Sequence, residues 1–163
     1  MNTILTHTQI QNIIRRMAFQ IAETFFGDDE IVLVGVAENG YILGNEIKKY
    51  LEQIGGFNTA ICKLSIDKKH PIGNITCDFG SEIYQNKNII IVDDVLNSGQ
   101  TLIYAVHHFL NVPLRKCKTA VLVDRNHKNF PIKADFKGLS LSTSKHNHVE
   151  VLLKENDFSA VLS

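Results

Sequence analysis

With 163 residues, 44% hydrophobic and 21% charged, the chain suits one domain with a packed core and is too apolar for a disordered polymer. Seventeen Lys and Arg balance seventeen Asp and Glu, which excludes a strongly basic nucleic-acid coat but not a local basic patch. No apolar run approaches the ~18 residues of a membrane span, and Met1 to Phe26 does not read as a secretory signal.

Ile10, Ile13, Ile14, Met17, Ile21 and Phe25 recur at three and four and predict an amphipathic first helix, punctuated by Gly27-Asp28-Asp29. Ile31 to Val36 is a β-branched run of buried-strand length. After Gly40, the spacing of Ile42, Leu43, Ile47 and Leu51 predicts a helix that ends at Gly55-Gly56, and Thr59 to Ile66 reads as a strand. Asp67 to Glu82 has no period and holds Pro71, Gly73, Gly80 and the run Lys68-Lys69-His70. It reads as a long loop or loose hairpin, a length usually reserved for functional or mobile segments. Asn88 to Val92 predicts a third strand, Asp93 to Gly99 a polar turn and Thr101 to Leu110 a helix. Ala120 to Val123 and Val149 to Leu153 read as further strands. Strands alternating with helices predict an α/β fold, a parallel sheet covered on both faces. No repeat or linker divides residues 1–163, which read as a single domain. Cys62, Cys77 and Cys117 are widely spaced, neither a disulfide framework nor a zinc pattern, and predict a reduced, cytoplasmic protein. Nothing near Cys77 in the sequence marks it as a nucleophile.

The most informative stretch runs from Ile89 to Thr101. An apolar strand ends in Asp93-Asp94, followed by a turn with Ser98 and Gly99 and then a helix start. In open α/β sheets, ligands bind beyond the carboxyl ends of the strands. Backbone N–H groups of the turn and the next helix make an anion site, hydroxyls of Ser98 and Thr101 add donors, and Gly99 permits close backbone approach. Carboxylates beside such a cup repel phosphate but accept hydrogen bonds from sugar hydroxyls and attract Mg²⁺. The pattern asks for a sugar phosphate. A phosphorelay receiver carries its acid pair near the start of the chain, and the P-loop pattern G-x-x-x-x-G-K-[ST] is missing.

These thirteen residues resemble the phosphoribosyl diphosphate (PRPP) signature of type I phosphoribosyltransferases. The similarity extends along the chain to one subfamily, the bifunctional pyrimidine-operon attenuators that also act as uracil phosphoribosyltransferases. It is carried by Leu33 to Val36 with Gly40 to Leu43, by Val121 to Lys128, by Phe130 to Phe136 with Gly138, and by Ser142 to Lys145 with Val149 to Val151. The resemblance implies a small hood over the sheet and a flexible loop at Asp67 to Gly80 that carries Lys68 and Lys69. It implies that Asp93 and Asp94 are the catalytic acids, binding the ribose hydroxyls and, through ribose or water, Mg²⁺. It places the 5′-phosphate on Val95, Leu96, Asn97, Ser98, Gly99, Gln100 and Thr101, and the pyrophosphate on Ala37, Glu38, Asn39 and Gly40. Arg125 and Lys137 fall on the base side. The implied reaction transfers the ribose 5-phosphate of PRPP to a nucleobase, uracil or a related pyrimidine, in a homo-oligomer. Two alternatives stand beside it: a nucleotide-sensing attenuator that binds RNA, with Arg115, Lys116 and Lys118 as its best patch, and a PRPP or nucleotide binder without catalysis.

The sequence also departs from the subfamily. Its pyrophosphate loop usually reads Lys-Thr-Arg-Gly, whereas here Ala37-Glu38-Asn39-Gly40 removes two cations and adds an anion, which weakens attraction for pyrophosphate. Lys68, Lys69 or His70 can supply the missing charge. Asn97 stands where purine-salvage relatives carry an acid, and Lys137 where the subfamily commonly has valine. His107-His108 on neighbouring helix faces cannot share a metal, and His146-Asn147-His148 lacks an acidic or cysteine partner.

Overall fold

The computed structural model describes residues 1–28 and 30–163, so Asp29 of the anticipated first turn lies outside the described residues. In chain order the elements are β1 (Asn2–Leu5), α1 (His7–Thr24), β2 (Glu30–Val36), α2 (Ala37–Ile54), β3 (Asn58–Ser65), β4 (Thr76–Cys77), α3 (Ser81–Tyr84), β5 (Asn88–Leu96), α4 (Gln100–Phe109), β6 (Lys116–Arg125), β7 (Phe136–Leu141), β8 (Val149–Lys154) and β9 (Asp157–Leu162). Among the described residues, six strands form one sheet in the order β4-β3-β2-β5-β6-β7. It is parallel from β3 to β7, with β4 antiparallel on the β3 edge. Strands β1, β9 and β8 form a separate antiparallel sheet, the hood that the resemblance implies.

The alternation of side chains along a strand sorts the core into two layers. Ile31, Leu33, Ile90 and Val92 point to one face and pack with α1, α2 and the hood. Val32, Val34, Ile89 and Ile91 point to the other and pack with α3 and α4. Helix α1 begins where Thr6 and Gln9 form a reciprocal capping box, each side chain accepting from the other's backbone N–H. It buries Ile10, Ile14, Met17, Ala18 and Ile21. No helix among the described residues is long and apolar enough to cross a membrane.

Several boundaries differ from expectation. Strand β5 does not stop at Val92. Its ladder with β6 continues through Asp93↔Val121 and Leu96↔Asp124, so the acid pair sits on a strand and the turn is shorter than anticipated. Helix α2 starts at Ala37, so Ala37 to Gly40 is the first helical turn rather than a loop before it. The segment Asp67 to Glu82 takes the loose-hairpin alternative, β4 returning antiparallel on β3, and α3 starts at its end. Strands β1, β7 and β9 were not anticipated.

Candidate active site

The carboxyl ends of the parallel strands open into a cavity of about 400 Å³, within the range of small-ligand sites. Asp93, Asp94, all seven residues from Val95 to Thr101, Asn39, Lys68, His148 and the hood residues Val149 to Val151 line it. The acid pair and the whole phosphate turn anticipated from the sequence therefore share one space. Asn39 is the member of the Ala37–Gly40 turn that reaches it.

The turn is built by backbone geometry. Gly99 has φ +88° and its Cβ position would collide with Ile132 Cγ2, so only glycine fits. The Ser98 carbonyl accepts the N–H groups of Asn129 (2.8 Å) and Phe130 (3.1 Å), and its Oγ accepts from Gln100 N–H at 3.2 Å. Helix α4 starts immediately after, at Gln100, so its N-terminal N–H groups border the cavity, a ready anion site.

Asp93 is buried, Asp94 partly so, and both are bonded. Lys68 Nζ donates to Asp93 Oδ1 at 2.8 Å and to Asp94 Oδ1 at 3.2 Å. Asn39 Nδ2 donates to Asp94 Oδ2 at 2.8 Å and to the Val151 carbonyl at 3.0 Å, tying α2, β5 and the hood together. The N–H of Val95 donates to Asp94 Oδ1 at 2.8 Å. Burial pushes the Asp93 carboxyl up to about 7, opposed by the Lys68 ammonium and aided by the Asp94 charge. Burial acts on Asp94 too, but Lys68, Asp93, Asn39 and the Val95 N–H outweigh it and hold Asp94 below the usual carboxylate range. Burial depresses the Lys68 ammonium, and the two acids more than restore it, leaving it above the usual lysine value.

Unfolding returns Asp93 from about 7 to its ordinary value of 3.8. Between those values the folded chain holds a proton that the unfolded chain has released, so this residue's contribution to stability falls as pH rises through that window. The Tm of the ligand-free protein, relative to an Asp93→Asn variant, is expected to drop from pH 5 to pH 8. Thermal melts that run parallel across that range, or diverge the other way, contradict it.

The remaining sequence candidates divide between the cavity and its surroundings. Of the loop cations, Lys68 reaches the acids, whereas the Lys69 backbone N–H donates to Asp67 Oδ1 at 3.0 Å and Lys69 does not line the cavity. Glu38, the added anion, forms an ion pair with Lys63, so its charge is partly offset. Ala37 has φ +55°, a left-handed conformation that costs a non-glycine residue about 1–2 kcal/mol. Gly40 serves packing: a Cβ there would collide with the Val92 carbonyl oxygen of β5. Arg125 is 7% exposed and clamps two segments, donating to Asn97 Oδ1 (3.2 Å), Thr143 Oγ1 (2.7 Å) and the Ser144 carbonyl (3.2 Å). It lines a second cleft of about 340 Å³ that shares Asn97, Ser98 and His148 with the first. Lys137 is half-exposed and turns to Asp124 Oδ2 at 3.6 Å, away from the main cavity. Neither the seating of Val149 to Val151 against the cavity nor the Asn39–Asp94 bond is legible in the sequence, because nothing local in either segment announces a partner so far along the chain.

Comparison with known proteins fits this geometry. Residues 1–156 match the phosphoribosyl transferase domain. The bifunctional protein PyrR of Clostridium beijerinckii is 34% identical, the alignment covering 96% of this chain and 92% of that protein. PyrR of Ligilactobacillus salivarius is 33% identical over 91% and 89%. Among solved structures, the hypoxanthine phosphoribosyltransferase of Trypanosoma cruzi aligns with TM-score 0.81 at 17% identity, over 98% of this chain and 95% of that one. A hypoxanthine-guanine phosphoribosyltransferase of Bacillus anthracis aligns with TM-score 0.78 at 20% identity, over 99% and 97%. At those identities the structural likeness speaks to fold alone.

Proposed function

The chain belongs to the phosphoribosyltransferase family, and from that premise we propose that it transfers the ribose 5-phosphate of PRPP to a pyrimidine base, uracil or a close relative, releasing pyrophosphate. The observation that carries this reading is that Asp93, Asp94 and the turn from Val95 to Thr101 open onto one cavity. That cavity offers amides for a phosphate and carboxylates for the adjoining sugar hydroxyls.

In this reading the phosphate turn anchors the 5′-phosphate and the acids hold the ribose. The C1–oxygen bond to pyrophosphate breaks as the bond from a base nitrogen to C1 forms, and positive charge builds on the sugar ring. Asp94, ionised and fixed by Asn39 and the Val95 N–H, stabilises that charge without reorganising. The ribose hydroxyls take the places on the acids that Lys68 holds, and the freed ammonium turns to the diphosphate, supplying a cation that the Ala37–Gly40 turn lacks. Closure of the Asp67–Gly80 loop excludes water from the activated sugar. The base side extends toward the Arg125 cleft. The donor set suits Mg²⁺, a hard cation that takes oxygen ligands, usually one or two carboxylates together with substrate phosphates. Asp93 and Asp94 would hold it through ribose or water. When bound, it would neutralise charge on the departing pyrophosphate.

Pyrophosphate release from PRPP, followed with a panel of bases, tests the reading. Turnover with uracil above that with hypoxanthine is expected, and no turnover with any base overturns it. PRPP-dependent thermal stabilisation without turnover would mark a non-catalytic binder instead. Lys68→Ala is expected to raise KM for PRPP by about tenfold, the scale of one charged hydrogen bond, and by more than Lys69→Ala does. Equal effects of the two would contradict the assignment of Lys68.

The resemblance to the pyrimidine-operon attenuators motivates a second reading, an RNA-binding attenuator. Of its best patch, Arg115 is paired with Asp28 at 3.0 Å and Lys116 lies over the Phe25 ring at 5.4 Å. Salt-dependent retention of RNA would support it.

A further inference from the structure

The sequence spacing of Cys62 and Cys77 conceals a contact. Cys62 lies on β3 and Cys77 on β4, and the antiparallel register Leu64↔Cys77 and Ser65↔Thr76 brings them onto one face of the sheet edge. Their Sγ atoms are 3.3 Å apart, fifteen positions distant in sequence. Cys62 is fully buried in the layer that holds Val34, Val36 and Leu64, whereas Cys77 is partly exposed at its rim. The chain between them carries Lys68, whose Nζ rests on Asp93 and Asp94. Strand β4 is two residues long, so the base of this loop rests on a minimal ladder, the kind of element that opens easily.

We propose that Cys62 and Cys77 form a thiol–disulfide site, and that its oxidation by a low-molecular-weight disulfide clamps the base of the loop that delivers Lys68. Cys77 is the attacking sulfur, since it is the one solvent reaches: its thiol donates to Cys62 Sγ at 3.3 Å, and once ionised it accepts the Cys62 S–H in return, which holds it below the usual cysteine range. It displaces one thiolate from the oxidant and forms a mixed disulfide. Cys62 then gives its proton to a departing thiolate, attacks Cys77 Sγ and expels the second. Two protein thiols are oxidised and one external disulfide is reduced to two thiols. The sulfurs need to approach by little more than 1 Å to reach the bonded distance of about 2.0 Å. Cys117, the third cysteine, is pushed up to about 11 by burial and by the Asp135 charge and stays a thiol.

The same sulfurs and Asp78 offer ligand atoms that lie within 4.8 Å of one another. A structural zinc site takes four ligands. This cluster, among the described residues, supplies three, and the exposed Asp78 carboxylate already accepts the Lys63 N–H at 2.8 Å. The geometry therefore favours the disulfide.

The bond stands on the cysteine geometry alone, whereas its effect on ligand binding rests on the proposed function. The reduced full-length protein is incubated with oxidised glutathione, with and without Zn²⁺, and then digested with trypsin without reductant. The expected product carries no disulfide between chains and is two hydrogens lighter, its Cys62 and Cys77 peptides stay joined after cleavage at Lys68 or Lys69, and Cys117 is alkylated. Cys77→Ser gives no internal bond, and Cys117→Ser behaves as the parent. A lasting glutathione adduct on Cys77 with Cys62 free, or a disulfide-linked dimer, overturns the site. Stoichiometric zinc that shields both thiols from the oxidant overturns it in favour of a metal site. The clamp has its own readout: cleavage after Lys68 and Lys69 slows in the oxidised form, and equal rates overturn the clamp. PRPP affinity is expected to fall about tenfold on oxidation, a usual size for coupling between two sites, and an unchanged affinity with the bond in place overturns the coupling. Absence of PRPP binding by the reduced protein would refute the proposed function and leave the bond and the clamp to be judged by mass and cleavage.

Discussion

Asp94→Asn is expected to lower kcat/KM for PRPP by roughly 10²–10³. In the proposed reading the Asp94 carboxylate accepts from the ribose and faces the charge that develops on the ring. Hydrogen bonds to an ionised group contribute about 1.5–3 kcal/mol each, and every 1.4 kcal/mol is a factor of about ten. Asparagine keeps the shape and can keep an oxygen for the Val95 N–H, which donates to Oδ1. Its amide nitrogen must then replace Oδ2, where it meets the Asn39 Nδ2 donor, and a donor facing a donor loses the bond that fixes the side chain. Folding stability falls as well, because the bonds that hold the Asp94 carboxyl below its usual range also stabilise the folded chain. Steady-state pyrophosphate release and a thermal melt, measured on the same preparation, separate the two. Turnover within about threefold of the parent would remove Asp94 from the reaction.

The legible part of this protein was the part whose signals are local. Ile89 to Thr101 announces a buried strand, an acid pair and a glycine turn within one short stretch, and the cavity is lined by those residues. The buried strand runs Ile31–Val36 and Ile89–Val92 were readable for the same reason, since residues buried on both faces need no partner to be recognised. The edge strand β7 and the hood strands β1 and β9 were not, although the third hood strand, β8, was. Phe136 to Leu141 lies on the sheet edge with a glycine in its middle, and β1 and β9 acquire their alternation from each other, across almost the full length of the chain. Asp93 was read as the start of a turn because a charge ordinarily ends a buried strand, yet pairing with Val121 carries the strand past it. Asn39 was counted as a lost cation, and its bond to Asp94 depends on how α2 docks on β5. Cys62 and Cys77 looked unrelated because a two-residue strand leaves no periodicity to read.

The docking of α2 supplies the other large effect. Gly40→Ala is expected to destabilise the protein by about 2–4 kcal/mol, near the upper end for overpacking, whereas Gly44→Ala, one turn along the same helix, stays within about 1 kcal/mol of the parent. Both glycines are buried in α2, and on helix propensity alone either substitution is favourable by about 1 kcal/mol. What separates them is the atom each new methyl meets. At Gly44 it is the end of the Ile61 side chain, 2.8 Å away, which can rotate aside. At Gly40 it is the Val92 carbonyl oxygen, part of the β5 backbone one residue before Asp93, with the Gly35 carbonyl carbon at 3.3 Å behind it. Neither can move without shifting a strand, so the first turn of α2 must lift instead. That displacement carries Asn39 from Asp94 and Val151, so PRPP binding falls together with Tm in Gly40→Ala and with neither in Gly44→Ala. For a chain of this size the expected loss in Tm is about 5–15 °C. A Gly40→Ala protein that melts and binds like the parent would show that α2 does not set the position of the acid pair.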